Sequence, residues 1–292
     1  MSDRLTTITG RGLSAEIDNH GAQLHALRDA EGRDLLWAGD PAVWTGRAPL
    51  LFPIVGALNH GRYRLDGHAY ILPKHGFART SPFALVEQTT SAAAYILHSS
   101  DEILAAYPFR FALRVQFAID GGVLTMTATV ANHDSRDMPA SFGFHPALRW
   151  PLPYGGARAE HRILFDQDEP DPIRRIDKEG LVRPDTLPTP VQGRELVLRD
   201  DLFEDDVVIL DRVRSRGLTY GPPTGPKLRI AFPDSPYLGL WTKPGAGYVC
   251  IEPWHGVADP QGYDGDLRDK PGVFVLKPGE SRDCVMSICL LD

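Results

Sequence analysis

Cysteine is scarce in this sequence, and long hydrophobic segments are absent. The 292 residues include three cysteines, Cys250, Cys284 and Cys289, an odd number without a CxxC pair, which argues against a disulfide framework and a cysteine-based zinc motif. All three lie in apolar, strand-like runs and are interpreted as buried thiols. No apolar run approaches the roughly 18 residues that a membrane-spanning helix needs, and residues 1–4 lead into no apolar signal segment. We therefore expect a cytoplasmic protein.

Basic charge is also in short supply. Lysine and arginine number 31 against 38 aspartates and glutamates, which gives a formal net charge of −7 and a pI near 5.8. Nucleic-acid-binding domains usually carry a basic face or a pI above about 9. The composition thus argues against nucleic acid and against an anionic membrane surface as partners.

Glycine and proline, in contrast, are abundant, with 28 and 25 residues spread along the chain. They interrupt every long stretch, and in a helix interior proline costs about 3 kcal/mol and glycine about 1 kcal/mol. The only helical signal is a turn or two at residues 101–107, before Pro108. No strand–helix alternation and no internal repeat is visible. This pattern predicts an all-β, antiparallel protein with many strands.

Three strand–turn–strand patterns support this fold class. Residues 113–119 and 123–130 flank Asp120-Gly121-Gly122, and residues 63–65 and 68–70 flank Asp66-Gly67; both patterns predict hairpins. Near the end of the sequence, residues 273–276 and 285–290 flank the turn residues 277–280.

Residues 166–192 differ from the rest, because they are rich in Asp, Glu, Pro and Arg and show no periodicity. A linker between two domains is one interpretation. Because strand patterns of similar composition resume on both sides, a long surface excursion within one domain is favoured. We therefore expect a single domain over residues 1–292.

Three segments place ionisable side chains among aromatics, glycines and prolines. They are residues 47–56 (RAPLLFPIVG) with residues 75–79 (HGFAR), residues 141–146 (SFGFHP) and residues 250–259 (CIEPWHGVAD). If such segments are buried, the pKa values of His145 and Glu252 shift. Glu252 precedes a proline and is predicted at a strand end. From these residues alone, structural roles stay open beside catalytic ones. His145 could be a core histidine hydrogen-bonded to backbone, and Glu252 a salt-bridged carboxylate at the rim of a site.

Several other chemistries find little support. The ten histidines form no HxH or HExxH motif and no spaced Cys/His set, so a metal is not expected, although a zinc site assembled from distant strands stays open. The sequence has no GxSxG motif, which would indicate a nucleophilic serine, and no Walker or GxGxxG motif, which would indicate a phosphate-binding loop. What remains is an acid–base pair with aromatic side chains such as Trp254 that could face a sugar ring.

Taken together, these segments resemble the aldose 1-epimerase (galactose mutarotase-like) family, including its LacX-like bacterial branch. RAPLLFPIVG, HGFAR, SFGFHP, LFEDD and LGLWTKPGAGYVCIEPW occur in the family's order along nearly the whole chain. The resemblance implies a large antiparallel β-sandwich, or supersandwich, with an open groove for a sugar. It also implies aldose 1-epimerase (mutarotase) activity without a metal or another cofactor, in a monomer or homodimer.

The resemblance also implies roles for individual residues. His145 matches the general acid and Glu252 the general base. Arg47, His75 and Arg79 match positions that line the sugar pocket. The aspartate of LFEDD that holds a sugar hydroxyl is placed at Asp206, with Asp205 as the alternative.

The chain departs from the family pattern in ways that leave the substrate open. The Asn-Arg pair that follows a glycine in galactose mutarotases is missing, and Arg47 stands before Ala48 and Pro49 instead. A hexose-6-phosphate 1-epimerase is an alternative, although the glycine pair usual before its proline is also missing. A non-catalytic carbohydrate-binding or sensing protein is another. A lyase or a glycoside hydrolase that pairs Glu252 with Asp206 is the last.

Overall fold

The computed structural model describes residues 4–291, and most of its regular elements are strands. In chain order the strands are β1 (Leu5–Gly10), β2 (Leu13–Asp18), β3 (Gln23–Asp29), β4 (Leu50–Leu51), β5 (Arg62–Leu65), β6 (His68–Ile71), β7 (Ala84–Gln88), β8 (Ala92–His98), β9 (Phe111–Asp120), β10 (Val123–Asn132), β11 (Met138–Ala140), β12 (Phe142–Phe144), β13 (Ala147–Arg149), β14 (Arg162–Phe165), β15 (Glu195–Val197), β16 (Val208–Leu210), β17 (Gly217–Gly221), β18 (Lys227–Ala231), β19 (Tyr237–Trp241), β20 (Tyr248–His255), β21 (Phe274–Leu276) and β22 (Ser281–Leu291).

Helical structure is limited to one α-helix and short 3₁₀ turns. The helix α1 (Asp101–Ala106) begins after Ser100, whose hydroxyl accepts from Ile103 N, and it ends before Pro108 as predicted. The 3₁₀ turns are Asn59–Gly61, Ala78–Thr80, Arg158–Glu160, Asp200–Phe203 and Leu267–Asp269. No helix within residues 4–291 is long and apolar enough to cross a membrane.

The strands form an antiparallel β-sandwich, which confirms the predicted fold class. A nine-stranded sheet has the order β15-β14-β17-β18-β22-β10-β9-β8-β7, and a six-stranded sheet has the order β16-β19-β20-β12-β4, with β13 also paired to β20. Three smaller sheets comprise β1-β2-β3, β5-β6 and β11-β21. Side chains from both large sheets, such as Phe117, Ile230, Leu240 and Ile251, belong to one buried apolar cluster.

The two predicted hairpins are present because their turns contain residues that accept positive φ. Gly121 and Gly122 have φ of 55° and 84°, and β9 pairs with β10 around them. Strands β5 and β6 pair around Asp66-Gly67 in the same way. The third pattern gives strands but no hairpin: β21 pairs with β11, whereas β22 pairs with β10 and β18.

Strand β20 is the element that positions the site. Every residue of it is buried, because one face packs on the main core and the other lies under aromatic side chains. Val249 and Ile251 belong to the main core, while Tyr248 and Cys250 pack with Ala147 and partly buried tryptophans on the opposite face. Since side chains alternate along a strand, Glu252 lies on the same face as Cys250. The prediction that Glu252 ends a strand is wrong, because β20 continues beyond it to His255.

The segment 166–192 is an excursion with part of its length inside the molecule, and it is not only a surface loop. It makes isolated bridges, with Arg174 opposite Ile209 and Val182 opposite Pro260. Ile173 and Leu181 are buried. These contacts fix the excursion beside the six-stranded sheet, where it forms one wall of the cavity described next.

Candidate active site

A cavity of about 300 Å³ opens on the face of β20 that carries Glu252. Its walls come from six parts of the chain. These are residues 44–56 before β5, residues 74–79 after β6, the gap between β12 and β13, the excursion 166–192, residues 206–209, and β19 and β20 with the loops that follow them. The lining residues are Trp44, Val55, Gly56, Lys74, His75, Arg79, His145, Ile176, Gly180, Asp206, Val207, Ile209, Trp241, Lys243, Glu252, Trp254, Val257 and Ala258. Six of the seven residues proposed from the sequence are thus brought together.

The seventh, Arg47, lies outside this lining. Its guanidinium Nη1 donates to the backbone carbonyl of His25 at 2.9 Å. Its own carbonyl accepts from Ala147 N at 2.7 Å, so its backbone is near the site while its side chain is bonded to β3. At the LFEDD segment, Asp206 lines the cavity and its neighbour Asp205 does not.

A break in strand pairing brings His145 to Glu252. Strand β12 pairs with β20 through Phe142 and His255, and β13 pairs with it through Ala147 and Cys250. Both strands share one register with β20, and that register places His145 directly opposite Glu252, within the short gap between them. Opposed residues on neighbouring strands have Cβ atoms about 4.5–5.5 Å apart. Accordingly, His145 Nε2 lies 3.2 Å from Glu252 Oε2.

The side chains of this pair are almost fully shielded from solvent. His145 is 8% exposed and Glu252 is 1% exposed. The 3.2 Å contact is not oriented as a hydrogen bond, and Glu252 Oε2 and His145 Nδ1 have no hydrogen-bond partner within residues 4–291. Both groups therefore retain the capacity to bond a molecule in the cavity.

Burial shifts both groups of the pair toward their neutral forms. Loss of solvation lowers the pKa of His145 to about 3, and the positive charges of Arg79 and Lys74 act in the same direction. Loss of solvation raises the pKa of Glu252 well above its usual value, with Asp206 contributing, against the opposing effects of Trp254 and Lys74. Both shifts favour a protonated carboxyl group and a neutral imidazole over an ion pair of carboxylate and imidazolium.

A second histidine, His75, offers a hydrogen-bond donor to the cavity. Its Nδ1 accepts from Gly56 N at 3.1 Å, and its own backbone N donates to Gly56 O at 2.8 Å. Burial, together with the nearby His145, Lys74 and Arg79, lowers the pKa of His75 well below 6.5. A neutral ring that accepts at Nδ1 carries its proton on Nε2, so His75 donates from that atom.

Aromatic rings hold His145 in place. The ring of Trp44 lies 5.3 Å from that of His145 at an interplanar angle of 31°. The rings of Trp241 and His75 approach it edge-on, each at 5.9 Å. Trp254, from the same face of β20, completes the apolar wall.

Sequence reasoning missed several lining residues. Lys74 immediately precedes the HGFAR segment and could have been noticed as its extension. Lys243 and Trp44 lie in turns that carry no local signal. Ile176 and Gly180 belong to the excursion, which looked like a solvated loop because it has no periodicity.

The loop after β20 is fixed by a buried ion pair. Lys270 Nζ donates to Val257 O at 2.6 Å and lies 3.5 Å from Asp259 Oδ1. The other carboxylate oxygen of Asp259 accepts from Asn59 N at 2.9 Å. Lys270 and Asp259 are each about 3% exposed. These bonds hold Val257 and Ala258 against the cavity.

Comparison with known families identifies one match over most of the chain. The family model described as aldose 1-epimerase matches residues 3–288. The chromosomal protein LacX of Lactococcus lactis subsp. lactis is 30% identical over 290 residues, which cover 96% of this chain and 97% of LacX.

Solved structures agree with this match. A galactose mutarotase-like protein from Lactobacillus casei is 29% identical, with a TM-score of 0.91 over 98% of this chain and 100% of that one. A galactose mutarotase related enzyme from Lactobacillus acidophilus is also 29% identical, with a TM-score of 0.90 over 99% of this chain and 97% of that one.

Proposed function

Because the chain belongs to the aldose 1-epimerase family, we propose that it interconverts the α and β anomers of an aldose. Glu252 acts as the base and His145 as the acid. The observation that carries the proposal is the contact of these two side chains, 3.2 Å apart, at the wall of a cavity large enough for one sugar ring.

The proposed reaction opens and closes the sugar ring. Glu252 as a carboxylate takes the proton of the anomeric hydroxyl, while protonated His145 donates to the ring oxygen. The bond between C1 and the ring oxygen breaks, and C1 becomes a carbonyl carbon. Rotation about C1–C2 presents the other carbonyl face, and the reverse transfers close the ring. Each such transfer typically contributes about 10²–10⁴-fold in rate.

These roles are compatible with the single proton of the pair. Because burial favours the neutral form of each group, the proposal includes movement of that proton from Glu252 to His145 when sugar binds. The number of protons is the same in both arrangements, and the atoms are 3.2 Å apart. Sugar hydroxyls supply polar contacts that Glu252 Oε2 lacks in the free protein, which favours the carboxylate. The reaction then needs no proton from bulk water.

The other lining residues are proposed to bind the sugar. His75 Nε2 and the Arg79 guanidinium donate to hydroxyl oxygens, and Asp206 accepts from a hydroxyl. Trp254 offers an apolar face to the ring. The guanidinium of Arg47, which is bonded to a backbone carbonyl, is left out of this set, in contrast to the role that the resemblance implies.

The cations of the cavity favour one alternative substrate. Lys74, Arg79 and Lys243 all line it, against the carboxyl groups of Glu252 and Asp206. No carboxylate lies within ion-pair distance of Arg79 among the described residues, and burial lowers the pKa of its guanidinium. A phosphate or other anionic group on the sugar would compensate this charge, so a sugar phosphate is the second candidate substrate for the same reaction.

The test is anomer exchange measured by NMR with the full chain. Free aldoses and aldose 6-phosphates are compared at equal concentration, each against its uncatalysed rate. The proposal predicts acceleration for at least one of them, and a preference for the phosphates would support the second candidate. Binding without acceleration for any sugar would contradict the proposal and favour a sensing protein.

A further inference from the structure

Three different metal-ligand side chains converge at the wall of the cavity, although the sequence contains no metal motif. One ligand atom each from His145, Cys250 and Glu252 lies within 4.8 Å of the other two. All three residues are buried. Neither Cys250 nor any other cysteine has a part in the proposed sugar chemistry.

The convergence follows from strand geometry. Cys250 and Glu252 are two residues apart on β20 and therefore share a face. The register of β12 and β13 places His145 opposite Glu252 and Ala147 opposite Cys250. A side chain as small as Ala147 beside His145 leaves the Cys250 sulfur facing the pair. The spacing 145, 250 and 252 could not reveal this, since it depends on a cross-strand register.

The donor set suits a thiophilic divalent cation. Imidazole, thiolate and carboxylate are the groups that bind Zn²⁺, usually in a tetrahedron whose fourth position can hold water. Burial favours the thiol of Cys250 and the carboxyl group of Glu252 in the free protein, so binding of a divalent ion would release both protons to solvent. The resulting thiolate and carboxylate carry two negative charges, which the ion balances, and the buried site stays neutral.

Unused bonding capacity supports the same conclusion. Glu252 Oε2 is buried and has no hydrogen-bond partner in the described part of the chain. Buried polar atoms are generally satisfied by a partner. His145 and Glu252 line the cavity whereas Cys250 does not, so an ion would enter through the cavity and reach Cys250 last.

We infer that His145, Cys250 and Glu252 bind Zn²⁺ or a similar thiophilic cation, and that the bound ion blocks sugar conversion. Inhibition by the ion rests on the proposed function, because the ion occupies the proposed acid and base. Binding of the ion does not depend on the proposed function. The site would thus make the enzyme sensitive to the free concentration of such cations, without any metal in the reaction.

Cobalt titration of the metal-free full chain tests binding independently of activity. Co²⁺ bound through a thiolate gives a sulfur-to-metal charge-transfer absorption band, and Zn²⁺ displaces it. The band is expected in the wild type and in Cys284→Ser, whose cysteine is buried in β22. It should be lost in both Cys250→Ser and Cys250→Ala. An absent band in the wild type, or one that persists without Cys250, would overturn the inference.

Inhibition of anomer exchange tests the consequence. Zn²⁺ should inhibit the wild type and Cys284→Ser, and a chelator should restore both. Cys250→Ser should keep basal activity and require at least about tenfold more Zn²⁺, since even the loss of an outer-shell partner costs 10–100-fold in metal affinity. Equal inhibition of Cys250→Ser and Cys284→Ser by Zn²⁺ would contradict inhibition through this site. If the wild type shows the cobalt band but no anomer exchange, the proposed function fails while the metal site stands.

Discussion

Arg175 is predicted to position Asp206, and its replacement by methionine tests this. The residue belongs to the excursion 166–192 and is 8% exposed. Its Nη1 donates to Asp206 O at 2.8 Å and its Nη2 donates to Leu202 O at 2.7 Å. Asp206 has a φ of 62°, a left-handed conformation that a surrounding structure must hold in place. We expect Arg175 to supply that restraint.

The magnitude follows from the two carbonyls that Arg175→Met leaves without a donor. A buried unsatisfied acceptor costs about 1–3 kcal/mol. The Leu202 carbonyl should bear the full cost, whereas the Asp206 carbonyl is only partly buried. We expect a loss of about 2–4 kcal/mol in the free energy of unfolding. If Asp206 then loses one charge-assisted bond to the sugar, KM rises about 10–100-fold, with a smaller change in kcat.

Urea denaturation and steady-state anomer exchange measure the two effects. Arg183→Met is the matched control, because Arg183 lies in the same excursion but pairs with Asp185 at the surface. An exposed pair contributes about 0–1 kcal/mol, so the control should behave like the wild type. Arg175→Lys should recover part of the lost stability, since an ammonium can reach one carbonyl. Equal denaturation midpoints for the two methionine variants, or an unchanged KM, would refute the positioning role.

Three further predictions concern the His145–Glu252 pair, the loop after β20 and the side of the cavity formed by Trp254. Because burial lowers the pKa of His145 to about 3, the profile of kcat/KM should show no imidazole titration with a midpoint near pH 6.5 as the pH is lowered from about 7 to 5, and such a titration would contradict the neutral imidazole. Lys270→Met leaves a buried carboxylate unpaired and should cost about 3–5 kcal/mol of unfolding free energy in urea; a loss below 1 kcal/mol would be inconsistent with the ion pair. A Cβ at Gly239 would lie 2.4 Å from the Trp254 ring, whereas one at Gly247 meets Trp37 at 3.4 Å, so Gly239→Ala should raise KM more than Gly247→Ala, and equal KM values would argue against the Trp254 wall.

The fold was largely predictable from local signals. Turns such as Gly121-Gly122 and the alternating burial of β10 depend on neighbouring residues, which the sequence displays directly. Pairing partners were not predictable in this way: β21 and β22 adjoin one turn yet belong to different sheets. That residues 1–292 form a single domain, and that the protein is cytoplasmic, stay predictions.

The site was predictable as a set of segments but not as a geometry. His145 and Glu252 meet because two short strands share one register with β20, a relation between residues more than a hundred positions apart. The same register brings Cys250 beside the pair, and a separate contact between distant segments holds the side chain of Arg47 at the carbonyl of His25. Ile176 and Gly180 went unnoticed because irregular backbone gives no periodic signal, even where it lines a cavity.

The central claim is that His145 and Glu252 work as one acid–base unit on a sugar. Anomer-exchange NMR of Glu252→Gln, His145→Ala and the double variant tests it most directly, with far-ultraviolet circular dichroism to confirm folding. Each single variant should lose at least about 10²-fold in rate. The double variant should lose little more than either, because members of one unit are non-additive. Near-wild-type exchange in either folded single variant would contradict the claim.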